Sequence, residues 1–429
     1  MNVLVVGSGG REHAIVKGLL KSKGLDSLYC APGNAGIALD CECVDIKAMD
    51  FDGLADFAEK NDIGLTVIGM DDPLIGGITD VFEARGLKVF GPRKNAAVLE
   101  GSKAFSKELM TKYNIPTGDY RVFDNADEAL SYLDSCKIPV VVKADGPALG
   151  KGVLICGSKD EAADAVKVIM RDKKFGDSGN RVVIEEFLTG PEVSVLTFTD
   201  GKTIRVMSSS QDYKKAYSGN KGPNTGGMGN YSPVPFFTPD VERYCMEKIF
   251  KPTVDAMASE GRPFSGVIFF GLMITEDGPR VLEYNARFGD PETQVIIPRM
   301  KNDLLEVFLA CAESRLSEIE LEFTDEAAVC VVLASSGYPV SYEKGFSITG
   351  LDKASEMEGV SVFHAGTGKE GNNIVTNGGR VLGVTALGPD IEAARKKAYE
   401  AASCISFNNK YMRNDIAADI TRETLWKMG

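Results

Sequence analysis

The sequence predicts a multidomain chain that mixes α/β and α+β units, and three observations carry that prediction. Short apolar runs alternate with amphipathic stretches over the first hundred residues, as in a parallel sheet covered by helices. The middle and end of the chain instead show strands in succession with fewer helices between them. The length, 429 residues, exceeds what one hydrophobic core organises and suggests about three domains.

The elements follow in order. Val3–Val6 is a β-branched run ending in Gly-Ser-Gly-Gly, before the helical R-E-H-A-I-V-K-G-L-L. Further runs at Leu28–Cys30, Thr66–Gly69 and Lys88–Gly91 complete an N-terminal parallel α/β domain over residues 1–100, closed by Gly91-Pro92. Asn95–Tyr113 reads as one helix, with Asn95 as its cap and Pro116 soon after it. Strands are expected at Tyr120–Phe123, Val140–Lys143, Gly152–Cys156 and Val182–Glu186, with a helix over Lys159–Arg171. These make a small subdomain of about 120–190 inside a central region of 101–325. Strands at Val193–Thr199, Thr203–Met207, Gly266–Ile274 and Val281–Asn285 and helices near Asp240–Glu260 and Leu304–Ala312 complete that region. Ala327–Ala334, Val360–His364, Arg380–Ala386 and a helix near Ile391–Ile405 form a C-terminal α+β unit over 326–429.

Composition excludes several functions. Hydrophobic residues at 44% and charged residues at 25% fit a soluble globular protein. A net charge of −13 argues against a nucleic-acid or anionic-membrane surface, so any anion pocket must be built locally. Nine scattered cysteines without a C-x-x-C, and only His13 and His364, leave little material for a His/Cys metal site or a Ser–His triad. The start M-N-V-L-V-V-G lacks the basic head of a signal peptide, and no apolar run reaches membrane-spanning length. A cytoplasmic protein with reduced thiols is expected.

The chemistry concentrates in L-E-Y-N-A-R-F-G-D-P-E-T-Q, Leu282–Gln294. Strand alternation over Pro279–Asn285 puts Leu282 and Tyr284 on one face and Glu283 and Asn285 on the other. Two oxygen ligands at a strand end suit Mg²⁺, which takes one or two carboxylates plus substrate phosphates. Arg287 follows as a planar fork for phosphate or carboxylate. Alone, the stretch equally fits a strand end with a surface ion pair.

Other motifs need the same weighing. Gly7-Ser8-Gly9-Gly10-Arg11-Glu12 has Glu12 where a dinucleotide fingerprint wants Gly or Ala, and Tyr29-Cys30 where it wants an acid. It is read instead as a cradle for a substrate phosphate or carboxylate at a helix start. Asp145–Gly152 fails as a P-loop, because Gly146 and Gly150 enclose three residues rather than four and Lys151 is followed by Gly152 rather than Ser or Thr. It fits a mobile flap over a triphosphate, with Lys143 before it, or a plain hairpin with two surface lysines. Val183–Glu192 leads a strand into an acid-rich turn that could offer backbone to an adenine and an acid to a ribose. Gln211–Lys215 and Gly222–Gly229 form a long polar, Gly-rich connection, and such loops are usually functional.

Together these stretches resemble the ATP-grasp ligases and, within them, the glycinamide ribonucleotide synthetase family. G-S-G-G-R-E-H-A at Gly7–Ala14, L-E-G-S-K at Leu99–Lys103 and K-A-D-G with G-K-G-V in Lys143–Val153 all look like that family. So do E-E-F-L at Glu185–Leu188, G-P-N-T-G-G-M-G at Gly222–Gly229, R-F-G-D-P-E-T-Q at Arg287–Gln294 and N-G-G-R-V-L-G-V at Asn377–Val384. The resemblance runs end to end, and the chain stops after that last unit, so one activity is expected. Departures are Pro147 and Leu149 in the flap, Asp71 where relatives carry Glu, and Tyr213 where they carry His. The first should alter flap stiffness, and the other two the contacts to the ribosylamine.

The resemblance implies an ATP-grasp centre that joins glycine to 5-phosphoribosylamine through a glycyl phosphate, in purine biosynthesis. It implies ATP as co-substrate, Mg²⁺ or Mn²⁺ held by Glu283 and Asn285, and Lys103 and Lys143 on the phosphates under a flap carrying Gly150, Lys151 and Gly152. Glu185, Glu186, Phe187 and Leu188 would line the adenine site, and Glu192 would take the ribose hydroxyls. Arg287 would stabilise the transferring phosphoryl group, and Asp212 is the most plausible base beside a solvent route. Gly9, Gly10, Asn34, Asp71, Asp212, Lys214, Arg287 and Asp290 are the substrate-side candidates. Partners are expected to be small molecules only, with the protein a monomer or weak dimer. The rivals are an ATP-grasp carboxylase or transformylase, a dinucleotide oxidoreductase, and a non-catalytic nucleotide-binding regulator.

Overall fold

The computed structural model describes residues 1–148, 152–418 and 420. The early apolar runs pair side by side in one parallel sheet, in the order Glu42–Cys43, Ser27–Pro32, Asn2–Gly7, Ile63–Ile68, Val89–Phe90. Helices cover both faces, which is why Val3, Leu4, Val5 and Val6 are all fully buried. The strand order reverses between Asn2–Gly7 and Ile63–Ile68, so the turns after these strands, at Gly9 and Asp71, open where such sheets bind ligands.

Two antiparallel sheets follow. Tyr120–Phe123, Val182–Glu186, Val140–Ala144 and Val153–Cys156 form the first, packed on the helices Ala126–Leu133 and Lys159–Val166. Ile204–Val206, Glu192–Asp200, Ser265–Thr275 and Gly278–Asn285 form the second. A third sheet orders Gln211–Asp212, Gly229–Ser232, Ala327–Ser335, Arg380–Gly388 and Val360–His364. Its first two strands come from the middle of the chain. The long connection expected at 211–229 is therefore partly ordered by pairing, and Lys215–Tyr217 and Lys221–Asn224 add a hairpin within it.

The expected single helix over Asn95–Tyr113 is two. Lys94–Gly101 ends where Ser102 is extended, and Lys103–Lys112 starts anew. The cause is tertiary: the Asp145 carboxylate accepts from Ser102 Oγ (2.9 Å) and Ala104 N (2.7 Å), and Ser102 Oγ accepts from Phe105 N (3.1 Å). Together they cap the second helix. Asn95 caps nothing, because Arg93 holds the N-cap position.

Strand alternation also breaks. The register slips beside Leu272, which pairs with Val281 while Gly271 pairs with Glu283, leaving Leu282 unpaired in a bulge. Leu282 therefore lies along the cleft with Glu283, and Tyr284 turns inward to meet Thr253 Oγ1 at 3.0 Å.

Phe90, Phe198, Phe288 and Phe308 pack ring on ring, with centroids 4.3–6.4 Å apart. They come from the parallel sheet, the second antiparallel sheet, the turn after Arg287 and the helix Leu304–Ala312. Such contacts hold the turn rigidly between units. His13 and His364 join the first helix to the third sheet: His13 Nδ1 accepts from His364 N at 2.7 Å, and its Nε2 donates to Asp40 Oδ2 at 2.7 Å. Burial lowers both imidazoles, His364 to about 3. The nine cysteines are all free. No helix among the described residues is long and apolar enough to cross a membrane.

Candidate active site

All four of these sheets contribute to one cleft of about 480 Å³. The parallel sheet brings Asp71, the second antiparallel sheet Glu283 and Asn285, and the third sheet Asp212 and Arg380. Of the residues singled out in the sequence, Asp71, Lys103, Lys143, Gly152, Glu185, Asp212, Lys214, Glu283, Asn285, Arg287 and Asp290 line it. Gly150 and Lys151 lie outside the described residues.

Glu283 ends half-buried in the cleft, with Lys214 Nζ 3.7 Å from its Oε1. Burial alone would raise its carboxyl, but Lys214, Lys143, Lys103 and Arg287 outweigh it and hold the group below the usual range. Asn285 donates its Nδ2 to Glu100 Oε1 at 2.8 Å, which orients the amide and leaves its oxygen to accept. One carboxylate and one amide oxygen fit Mg²⁺ completed by phosphates and water. Among the described residues no group of three or more His, Cys, Asp or Glu could cage a metal by itself. The donor set therefore fits a phosphate-bridged ion.

Arg287 points into the same corner. Its Nη2 lies 3.3 Å from Glu100 Oε1 and 3.8 Å from Asp71 Oδ2, and its buried Nε has no hydrogen-bond partner. Glu100 also accepts from Ala286 N at 2.7 Å, so one buried carboxylate sets the whole Asn285–Arg287 turn. Arg287 and Arg11 hold Asp71 low against its burial. The shortening of Glu to Asp at that position thus lies at the cleft.

Elsewhere in the cleft, Glu185 Oε2 pairs with Lys107 Nζ at 2.9 Å and Lys143 Nζ at 3.0 Å. Lys143 also donates to Leu282 O at 3.2 Å. Burial would raise Glu185, but Lys143 and Lys107 together hold it below the usual range. Burial pulls Lys107 down to about 8. Glu185→Gln would leave both ammoniums buried and less than fully paired, so we expect a loss of about 3 kcal/mol in unfolding free energy. A urea midpoint at the parent's value would contradict this. Lys103 donates to Gly146 O at 3.2 Å, at the described edge of the expected flap.

Other candidates are engaged elsewhere. Glu192 pairs with Lys214 at 2.7 Å. Glu186 is exposed and accepts from Asp119 N at 3.1 Å, Leu188 is buried, and Phe187 is half-buried at the strand end; none of the three lines the cleft. Asn34 donates to Ser8 O and His364 O and accepts from Gly36 N and Ile37 N, which uses its whole amide. The expected cradle at Gly9 and Gly10 is partly filled: Gly9 N donates to Glu12 at 2.6 Å and Arg11 N to Asp290 at 3.2 Å. Tyr213, whose departure suggested altered substrate contacts, does not line the cleft. It is buried under Arg413, 5.0 Å from guanidinium to ring centroid, because Asp212 and Lys214 take the cleft face.

Asp212 is held tightly. Gly227, at φ +112°, passes so close that a Cβ there would lie 2.5 Å from Asp212 Oδ1. Burial pushes the Asp212 carboxyl well above its usual range and the neighbouring Glu292 adds to it, against Lys214 and Arg380. Glu292 is raised as well, mainly by burial.

Glu100, Lys107, Glu292 and Arg380 had no role in the sequence reading. Arg380 reaches over from the third sheet to Asp290, at 2.8 Å to its carbonyl and 3.3 Å to Oδ1. The motifs L-E-G-S-K and N-G-G-R held the signal for Glu100 and Arg380. Lys107, spaced like a surface lysine on a helix, offered none.

Residues 1–100 match the N domain of phosphoribosylglycinamide synthetase, 101–293 its ATP-grasp (A) domain and 328–419 its C domain. A phosphoribosylamine–glycine ligase of Caldanaerobacter subterraneus is 49% identical over 97% of this chain and 100% of its own length. One from Vibrio parahaemolyticus is 48% identical over 97% of each. The crystal structure of a phosphoribosylamine–glycine ligase from Thermotoga maritima superimposes with a TM-score of 0.84, at 35% identity over 97% of this chain and 100% of that one. The biotin carboxylase domain of Hydrogenobacter thermophilus 2-oxoglutarate carboxylase shares the fold alone, with a TM-score of 0.74 at 15% identity over 96% and 91%.

Proposed function

We infer the activity from one premise: this chain belongs to the phosphoribosylglycinamide synthetase family. Its architecture is that family's, with an N-terminal parallel sheet, an ATP-grasp centre and a C-terminal domain. It is an ATP-dependent ligase that joins glycine to 5-phosphoribosylamine to give glycinamide ribonucleotide, ADP and phosphate, in purine biosynthesis. We take the units as 1–100, 101–325 with a flap subdomain of about 120–190, and 326–429.

A glycine carboxylate is a poor electrophile. We propose that ATP phosphorylates it to glycyl phosphate, which the ribosylamine nitrogen attacks with loss of phosphate. No protein nucleophile is needed; the work is positioning and charge neutralisation. The observation that carries this is the corner where Glu283, Asn285 and Arg287 meet, set by Glu100. Glu283 and Asn285 would hold Mg²⁺ or Mn²⁺, whose charge offsets that of the phosphates. Lys103 and Lys143 would bind phosphates under the 145–152 flap, and Arg287 would meet the transferring phosphoryl group. Glu185 in the cleft, with Glu186–Leu188 at the strand end beyond it and Glu192 beside Lys214, would serve the adenine and ribose. Asp71, Lys214 and Asp290 face the glycine and ribosylamine, with Gly9, Gly10 and Asn34 shaping the wall behind. Asp212, made more basic by burial, accepts the amine proton.

The acidic balance speaks against a nucleic-acid or anionic-membrane partner, and we propose small-molecule partners only, a cytoplasmic location and a monomer or weak dimer. ADP release is expected only with glycine and phosphoribosylamine together. Release sustained by bicarbonate or formate in place of glycine would make the chain a carboxylase or transformylase instead.

A further inference from the structure

Behind Asp212 a row of polar side chains crosses the third sheet. Asp212 pairs directly with Asn230, Asn230 with Cys330, Cys330 with Thr385, and Thr385 with Ser361. Directly opposed residues share a face and sit about 5 Å apart. Asn230 and Cys330 are 0% exposed and Thr385 1%. Yet Asp212 Oδ1 and both amide atoms of Asn230 have no hydrogen-bond partner in the protein, and Thr385 Oγ1 has only the neighbouring Cys330 thiol. Gln294 covers the gap at Cys330, since a Cβ on Gly383 would lie 3.1 Å from Cys330 Sγ and 3.8 Å from Gln294 Cγ. Gln294 Nε2 is spent on Asp290 Oδ1 at 2.8 Å, whereas its Oε1 is also buried and unpaired.

Orphaned donors and acceptors in one line are what ordered internal water satisfies, and isolated ones would each weaken the fold. The row has two ends. Asp212 lines the catalytic cleft, and Ser361 lines a second cavity of about 310 Å³ beside Lys17, Lys21 and Asp40. We propose that the row holds a file of water carrying the amine proton from Asp212 across the sheet to the surface at Ser361, with Asn230 and Thr385 as positioning residues. This rests on the ligase reading above.

The step balances. The amine lone pair forms the C–N bond, the acyl C–O bond to phosphate breaks, and the N–H proton reaches one oxygen of the Asp212 carboxyl in concert with the hop of a proton from its other oxygen into the file, so product waits on the file even in the first turnover. Cys330 stays a thiol, since burial pushes it up to about 12. Glu292, Lys214, Arg380 and Glu192 surround Asp212 and set when it can accept.

Single-turnover rapid quench with ATP, glycine and phosphoribosylamine tests this, using Asn230→Leu, Thr385→Val and, as a control orphan in another sheet, Thr66→Val. We expect ADP to form at the parent's rate in both row variants. Glycinamide ribonucleotide should lag at least tenfold, with a solvent deuterium isotope effect on the lagging step larger than the parent's; the control should match the parent. Product formation within twofold of the parent in both row variants would overturn the proposal. So would ADP and product slowing together in Thr385→Val, which removes one hydroxyl and keeps the fold. A parent that forms no product from phosphoribosylamine would overturn the ligase reading instead.

Discussion

Glu283→Gln is expected to lower turnover by about 10³-fold or more while leaving the fold intact, a loss of roughly 4 kcal/mol in transition-state stabilisation. The amide keeps the size of the side chain but removes the charge that four cations converge on. That charge draws the metal to the phosphates, so both nucleotide binding and rate should fall. ADP release measured against Mg²⁺ concentration separates this from a plain surface ion pair, which would cost no more than about 1 kcal/mol of stability. Partial rescue by high Mg²⁺ or Mn²⁺ supports the assignment. The parent's turnover and metal dependence in the variant would sink it.

Arg287→Lys should lose about 10²-fold or more in kcat while ATP affinity changes by no more than about threefold. The guanidinium is already oriented by Glu100 and Asp71, and its buried Nε waits for a partner. A lysine would keep the charge for those carboxylates but not the fork for a phosphoryl group. Because Phe288 anchors the turn in its aromatic cluster, stability should hardly change. A rise confined to KM would instead make Arg287 a ground-state binding residue.

Local apolar periodicity made most strands legible, since runs such as Val3–Val6 and Ala327–Ala334 are buried on both faces and carry their own boundaries. The helix Leu304–Ala312 likewise shows its cap, Asp303, beside it. What was not legible depends on partners distant in sequence. The break at Ser102 needs Asp145, more than forty residues on, and the bulge at Leu282 needs the register of Ser265–Thr275. The pairing of Gly229–Ser232 with Ala327–Ser335 cannot be seen in a Gly-rich stretch with no apolar pattern.

The site divides the same way. Glu283, Asn285 and Arg287 stand together in sequence and meet in space. Glu100 and Arg380 reach that corner from other units, and Lys107 hides in a helix as an ordinary lysine until its pairing with Glu185 is seen. Asn34 misled in the opposite sense, because a conspicuous polar residue after a strand spends every hydrogen bond on the backbone around it.

The central claim is that the cleft activates a carboxylate by phosphoryl transfer, with no covalent enzyme intermediate. Turnover with glycine labelled with ¹⁸O in both carboxylate oxygens tests it directly, by mass analysis of the phosphate released. One ¹⁸O per phosphate is predicted, carried from glycine through the acyl phosphate. Unlabelled phosphate, with one label kept in the amide product and the other lost to water, would contradict it.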